Sequence, residues 1–224
     1  MSHNPDNLST TQLWGLALSS LLTEMNHQRH DILDYHNGEK QGVEQLRHVT
    51  KRDWGIETRE ELLDILDWLK KEGQNANYLN MQNHIKSLSE AGINAYIEAH
   101  QKNEDLQNRL LLVKNYRHAL NNSGILAWDI GRYVYLCRCG ACLELFSQKE
   151  SWEFIFKASL LAQKTYDSWY SFAISYIAGR KYWRAIATED RALLEMDIVL
   201  RLTGDEKSPW NTLKWNHSLT LNEL

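Results

Sequence analysis

The sequence has little proline: only Pro5 and Pro209 occur, and both lie near its ends. A proline inside a helix removes a hydrogen bond and clashes with the preceding turn, so the long stretch between them contains no such helix breaker. Valine is scarce as well, and no segment alternates apolar and polar residues between Asn-Gly or Asp-Gly turns, the pattern typical of paired strands. These absences predict an all-α protein.

An excess of basic residues is also absent. Lys and Arg number 25 against 29 Asp and Glu, which gives a net charge of -4. Binding to phosphate backbones requires a basic patch, so this balance argues against a nucleic-acid partner. The most apolar run, from Leu13 to Leu22, is too short to span a bilayer and lacks the basic start of a signal peptide. We therefore expect no membrane partner and a cytoplasmic location.

Cysteine is limited to three residues, Cys137, Cys139 and Cys142, in the pattern C-x-C-x-x-C. Three thiols cannot all pair within one chain, and their spacing is not that of a secreted disulfide framework. Zinc could use these thiolates, but a tetrahedral site needs a fourth ligand, and no further Cys or His lies within the usual short spacing. We favour small buried thiols over a metal site and expect no cofactor.

The chain has 224 residues, of which 43% are hydrophobic, so it can bury a substantial core. We expect one compact multi-helix domain over residues 1–224, with residues 1–42 forming a helix and a loop that pack on the rest. The first helix is predicted to begin after Ser9 and to run to about Glu24. Thr58 and Ser147 are each followed three residues later by Glu, which is the capping box that opens a helix.

Glycine and apolar spacing predict where helices end and which faces they bury. Gly55 and Gly179 are predicted to end helices, since glycine adopts the left-handed conformation that helix ends favour. The helix after Ser147 is predicted to bury one stripe, and the last strong helix, from about Thr188 to Thr203, another. The inward residues expected on these two helices are Trp152, Ile155, Phe156 and Leu160 on the first, and Leu193, Met196 and Leu200 on the second.

Nine tryptophans are many for a chain of this length. Tryptophan buries a large area while its N–H still needs a partner, so it suits irregular corners of a helical core. Tryptophan is also enriched in binding hot spots, so an exposed aromatic patch is the alternative. We predict a Trp-rich core and keep an interface patch as the second interpretation.

The stretch AWDIGRYVYLCRCGAC, residues 127–142, contains Asp129 and Arg132 three residues apart. On a helix these two side chains share a face and can form an ion pair. Because a close arginine lowers the pKa of an aspartate, the pairing argues against a catalytic base and favours a structural pair in the core. The alternative is an enzyme with a cleft around Asp129, Arg132 and Arg180, in which the two arginines hold an anionic substrate.

A second metal hypothesis rests on the stretch HQRHDILDYH. His27 and Asp31, and likewise His30 and Asp34, are four residues apart, a spacing from which helices bind metals. Both pairs require the helix to continue to Tyr35. We favour the alternative, a solvated helix end or loop with compensating charges.

Four segments resemble, in order, a bacterial family of unknown function that includes the YbeU and YbeR proteins of enterobacteria. They are DWGIETREELLDILDWL, LAWDIGRYVYL, ESWEFIFKASLLAQKTYDSWYSFAISYIAGRKYW and SPWNTLKW, and the similar region covers residues 43–215. The residues that carry the resemblance are Trp54, Gly55, Ile56, Trp128, Asp129, Arg132, Ser168, Trp169, Tyr176, Gly179, Arg180 and Trp183.

The resemblance implies a helical, cytoplasmic protein without an assigned activity, so it transfers no catalytic residue. The cysteine cluster is not part of the family pattern. Members are also similar in size and helical character to small bacterial proteins encoded beside polymorphic toxins, some of which act as immunity proteins. We therefore expect a non-catalytic binding protein. Its negative surface would attract a basic toxin domain and then occlude it.

Overall fold

A computed structural model describes residues 4–36, 39–187 and 193–223. The regular structure in these ranges is entirely helical, which confirms the all-α prediction. None of the helices in this part of the chain combines the length and apolarity needed to cross a bilayer. The helices are α1 (Thr10–Ala17), α2 (Ser20–Met25), α3 (Lys40–Trp54), α4 (Arg59–Lys71), α5 (Asn75–Lys86), α6 (Glu90–Ala99), α7 (Glu104–Tyr116), α8 (Leu126–Cys142), α9 (Gln148–Thr165), α10 (Trp169–Arg184), α11 (Leu193–Gly204) and α12 (Pro209–Thr212), followed by a 3-10 turn at Leu221–Glu223.

Helix α8 lies at the centre of the fold. Fourteen of its 17 residues are buried, and it packs against α4, α9 and α10. A helix buried on all sides needs apolar residues around its whole circumference. Helix α8 meets this requirement with only three charged side chains, Asp129, Arg132 and Arg138. These three buried charges must find their partners inside the protein.

The predicted helix starts are confirmed. Ser9, Thr58 and Ser147 each form a capping box, in which the hydroxyl accepts the N–H three residues on and that residue's side chain accepts the N–H of the cap. Gly55 follows α3 in the left-handed conformation, with φ of 67°. The Gly55 prediction is therefore confirmed as well.

The N-terminal helix is interrupted, contrary to the prediction of one helix up to Glu24. Leu18 and Ser19 separate α1 from α2. The Ser19 hydroxyl donates to the carbonyl of Leu16 at 2.9 Å, and a serine that bonds its own backbone competes with the helical ladder. The interruption allows α1 to pack on α9 while α2 packs on α8.

The prediction that Gly179 ends a helix is wrong. Helix α10 continues through Gly179 to Arg184, and Ala185 takes the left-handed conformation that closes it. Glycine is needed at position 179 for packing, because a Cβ there would lie 2.3 Å from Cβ of Trp128. A close approach between α10 and α8, rather than a helix end, explains this glycine.

The predicted inward face of α9 is confirmed at Trp152 and Ile155, which are buried, but not at Leu160, and the inward face of α11 differs from the prediction. Leu160, Met196 and Leu200 are 46%, 46% and 61% exposed, and the side chain of Leu193 lies outside the described residues. Helix α11 packs on α2 and α12, and these neighbours select a different apolar stripe from the one that spacing suggested. Among the described side chains of α11, the buried ones are Ile198, Val199 and Leu202.

A group of four tryptophans joins the chain ends to the core. Trp14, Trp169, Trp210 and Trp215 have ring centres between 4.7 and 5.7 Å apart in four of their pairs. Each indole N–H donates to a backbone carbonyl, at 2.8 to 3.2 Å. The Trp-rich core is confirmed, and its N–H groups show why tryptophan rather than phenylalanine suits these corners.

Candidate functional site

Arg132 is surrounded by three tryptophans. Its guanidinium lies 4.7 Å from the ring centre of Trp128, 5.6 Å from that of Trp54 and 5.7 Å from that of Trp68. These rings come from α8, from the end of α3 and from α4. The faces of tryptophan rings attract cations, and the attraction strengthens where water is excluded. We call Trp54, Trp68 and Trp128 the tryptophan cage.

Asp129 completes this site from the same face of α8. Its carboxylate forms an ion pair with Arg132, and it accepts the backbone N–H of Gln74 at 3.1 Å and of Asn75 at 2.9 Å. The amides at a helix N-terminus have no intrahelical partners, and Gln74 gives α5 no side-chain cap. Asp129 therefore both neutralises Arg132 and caps α5 from another helix.

Burial dominates the electrostatics of this pair. It raises the pKa of Asp129, because desolvation penalises the charged form, while Arg132 and the two amides oppose the rise. Burial also lowers the pKa of the Arg132 guanidinium, against the stabilising charge of Asp129. Each ion therefore depends on the other to remain charged inside the core.

The other face of Trp128 is covered by α10. Tyr176 meets its ring edge-on at 5.1 Å, and the Trp183 ring lies 5.9 Å away. The Arg180 guanidinium is also 5.9 Å from the Trp128 ring centre. Five residues of the predicted family pattern thus surround Trp128, namely Arg132, Tyr176, Gly179, Arg180 and Trp183. Two others lie elsewhere, since Ser168 caps α10 and Trp169 belongs to the four-tryptophan group.

This arrangement has little room for a substrate. Asp129 is 1% exposed and Arg132 is 5% exposed. The cavity that Asp129 borders measures about 40 Å³, whereas ligand pockets typically measure roughly 300–1,000 Å³. Both carboxylate oxygens already accept hydrogen bonds. The geometry supports a structural role for the pair, and the enzyme hypothesis stays a prediction.

A larger depression lies along α9, and we call it the α9 groove. Its volume is about 850 Å³. Trp152 and Phe156 form an apolar floor one helical turn apart. It is lined by Gln12 of α1, by Leu221 of the C-terminal turn and by Gln148, Lys149, Trp152, Glu153, Phe156 and Lys157 of α9.

Sequence reasoning assigned the floor of this groove to the core. Trp152 is buried and Phe156 half-buried, so the prediction of an apolar face was correct, but it missed the open space above. A usable signal was present, because α9 carries a second apolar stripe at Ile155, Ala158 and Ala162, which is fully buried. Two apolar stripes on one helix exceed what a single packing face requires.

A family model matches residues 50–215 of the chain. Its description is "Protein of unknown function (DUF1266)". The chain belongs to the DUF1266 family. No curated protein and no solved structure matches it. The predicted family resemblance is thereby confirmed for most of the chain, including the tryptophan cage, Asp129 and helix α9, whereas Gln12 and Leu221 of the groove lie outside the match.

The three cysteines also lie within the DUF1266 match, but they do not gather at one point. Cys137 belongs to the main core, whereas Cys139 and Cys142 lie in a separate cluster with Leu46, Tyr135 and Leu143. Among the described residues, no group of three or more His, Cys, Asp or Glu side chains is placed to hold a metal ion. All three are buried and free, as predicted.

Arg138, between two of these cysteines, is a residue that sequence reasoning missed. It is 0% exposed, and in the described part of the chain it forms no ion pair. Its guanidinium donates to Thr23 Oγ1 at 2.8 Å and to the carbonyls of Arg29 and Ile32 at 2.6 and 3.1 Å, and it lies 5.0 Å from the Tyr35 ring centre. Arg138, which lies inside the DUF1266 match, thus holds in place the N-terminal segment with Thr23, Arg29 and Ile32, which lies before the match begins.

The metal hypothesis for the two His-Asp pairs is wrong, because the helix does not continue to Tyr35. Helix α2 ends at Met25, and His27 has a positive φ of 53°. His30 instead pairs with Glu24 at 2.7 Å. Asp31 pairs with Arg29 at 2.8 Å. The segment is therefore a loop with local pairs and not a helix that presents metal ligands at four-residue spacing.

Proposed function

We propose that this protein is a non-catalytic binding protein of the bacterial cytoplasm that recognises another protein through the α9 groove. We propose further that it is an immunity protein, and that its partner is a basic toxin domain that it neutralises by occlusion. The observation that carries the proposal is the groove itself, an apolar floor left open along a helix that buries a second apolar stripe in the core. The charged residues of α8, in contrast, are enclosed and bonded to one another, to backbone groups or, for Arg138, also to the Thr23 hydroxyl.

Exposed apolar side chains extend the groove along α9. Leu160 follows Phe156 by one turn and is 46% exposed. Leu221 overhangs the groove from the C-terminal turn and is exposed too. Monomeric proteins rarely expose adjoining apolar groups of this kind, and such patches mark interaction sites. Aromatic residues in a pocket suit the anchor positions of interfaces.

The distribution of charge supports a basic partner. The chain carries a net charge of -4, and Glu60 and Asp64 of α4 are exposed and form no ion pair with another described residue. Arg59 of α4 pairs with Glu150 of α9 at 2.7 Å, so the acidic helix adjoins the groove helix. A negative field accelerates association with a positive partner without needing specific contacts.

Co-expression tests this proposal. The product of the neighbouring gene should arrest growth when expressed alone, and co-expression with this protein should restore growth. Phe156→Glu and Leu160→Glu should abolish rescue and co-purification, since the first places a charge on the groove floor and the second places one on the apolar stripe that continues from it. Tyr170→Glu is the matched control, because Tyr170 is exposed on α10 outside the groove lining.

The proposal fails if the groove variants rescue growth as well as wild type does. It also fails if the wild-type protein recovers no specific partner from its native lysate. Circular dichroism melting curves should show that each variant remains folded at the growth temperature, so that lost rescue reports binding.

A further inference from the structure

We infer that the partner segment in the α9 groove is an amphipathic helix with acidic, basic and acidic residues at four-residue spacing along one flank. This inference rests on the proposed function, because it specifies the partner of the same groove. The order of side chains along α9 supports it.

The floor of the groove matches a helix laid along α9. Trp152 and Phe156 of the floor and Leu160 beyond them are spaced by four residues, so they form one stripe that spans roughly 12 Å along the helix axis. A bound helix presents apolar side chains at three- and four-residue spacing, which repeats at the same interval as this stripe. The apolar side chains on successive turns of a bound helix can therefore contact successive side chains of this stripe.

One edge of the groove is a ladder of alternating charge. Lys149, Glu153 and Lys157 are also spaced by four residues, and all three line the groove. No ion pair joins any of them to another described residue, and Lys157 lies 5.7 Å from the Phe154 ring centre. The charges of this edge are therefore still available to a partner.

The alternation selects an order of charges and not only a net charge. A flank ordered Glu, Lys, Glu would place opposite charges at each of the three positions. A flank with the same composition ordered Lys, Glu, Glu would place like charges at two positions, and like-charge contacts are unfavourable. The groove should therefore discriminate between bound helices that have the same composition but a different order of charged residues on this flank.

Among the described residues, the other side chains that line the groove, such as Gln12 and Leu221, carry no charge. The bound helix consequently needs only one charged flank, and its other flank is neutral. The ladder concerns the docking segment alone, so it is compatible with a partner domain that is basic as a whole. The net charge acts over long distances, whereas the ladder acts at contact.

Two fluorescein-labelled synthetic peptides test the inference. Both are amphipathic helices with leucine at the groove-facing positions and the same composition, and they differ only in the flank order, Glu-Lys-Glu or Lys-Glu-Glu. Fluorescence anisotropy should show that wild type binds the first about tenfold more tightly, a difference that several surface charge contacts together supply. The preference should shrink at 1 M salt, which screens exposed charges.

A charge-exchanged protein provides the reciprocal measurement. The triple variant Lys149→Glu, Glu153→Lys and Lys157→Glu carries the ladder in reverse and should prefer a third peptide ordered Lys-Glu-Lys. All three substitutions are at surface positions on one helix, and the wild-type melting temperature should be retained within a few degrees. Phe156→Glu should weaken binding of every peptide.

Equal binding of the two flank orders by wild type, or binding of neither, would overturn the inference. Groove-dependent dimerisation in sedimentation experiments would overturn it too, because the occupant would then be a second copy of the chain. If peptide order has no effect while Phe156→Glu still abolishes partner capture, the inference is wrong and the proposed function stands. If the Phe156→Glu variant captures the partner as well as wild type does, the proposed function itself is wrong.

Discussion

Gly179 of α10 lies directly against Trp128 of α8. A Cβ at position 179 would approach Cβ of Trp128 to 2.3 Å and its Cγ to 2.8 Å. The same tryptophan forms the nearest wall of the cage around Arg132, at 4.7 Å. The residue at position 179 therefore influences the position of Trp128 and, through it, the surroundings of the buried ion pair.

Gly179→Ala should destabilise the protein. Overpacking a tight core site lowers the free energy of unfolding by about 1–3 kcal/mol, which outweighs the gain in helix propensity from alanine. Urea unfolding measures the difference. Gly204→Ala is the matched control, because a Cβ there meets nothing within 4 Å, and its stability should be unchanged or slightly higher. Equal behaviour of the two variants would show that α8 and α10 separate without penalty.

Asp129→Asn should lower the melting temperature strongly. Removing one partner of a buried ion pair leaves the other charge uncompensated, which destabilises by about 3–5 kcal/mol. The double variant Asp129→Asn with Arg132→Met should lose less than the sum of the two single variants, because it removes the orphaned cation. A normal melting temperature together with loss of a biochemical activity would contradict the structural role and favour catalysis.

Local chemistry made much of the fold predictable. The capping boxes at Thr58 and Ser147, and the left-handed Gly55, depend on residues within one helical turn, so the sequence around each one contains the whole explanation. The Asp129 and Arg132 pair was predictable for the same reason, since three-residue spacing brings the two together on any helix.

Contacts between distant segments were not predictable in this way. Gly179 fits both a helix end and a close approach, and only the position of Trp128 decides between them. The capping of α5 by Asp129 joins residues 54 and 55 positions apart. The α9 groove likewise depends on where α1 and the C-terminal turn lie against α9, which no pattern within α9 specifies.

Arg138→Met should loosen the N-terminal segment from α8. The substitution keeps a long apolar stem but leaves Thr23 and the carbonyls of Arg29 and Ile32 without their donor, and buried acceptors without partners are unfavourable. Hydrogen exchange should accelerate mainly in residues 19–36. Arg52→Met is the control, because Arg52 is exposed and pairs only with Asp53, and its exchange pattern should match that of wild type.

Acid should weaken the anchoring of the N-terminus through Asp31. Hydrogen bonding from Arg29 lowers the pKa of Asp31 to about 2, and the N–H of Asn4 adds to the effect. A carboxyl whose folded pKa is lowered stabilises the fold above its unfolded pKa of about 3.9, and the contribution disappears as pH falls toward 2. Asp31→Asn should therefore lose less stability than wild type between pH 5 and pH 2. If the free energy of unfolding of wild type and of Asp31→Asn changed equally with pH over this range, Asp31 would not have this role.

The cysteines should be unreactive while the protein is folded. Burial raises the pKa of Cys139 to about 11, and it raises the pKa values of Cys137 and Cys142 as well. The thiolate is the reactive form, so a disulfide-exchange reagent at pH 8 should modify none of the three thiols in the native protein and all of them in denaturant. Ser87→Cys, which adds a thiol at an exposed position, should react at once and serves as the control. A native thiol that reacts as fast as Cys at position 87, or stoichiometric zinc in the purified protein, would show that this cluster is a chemical site and not only part of the core.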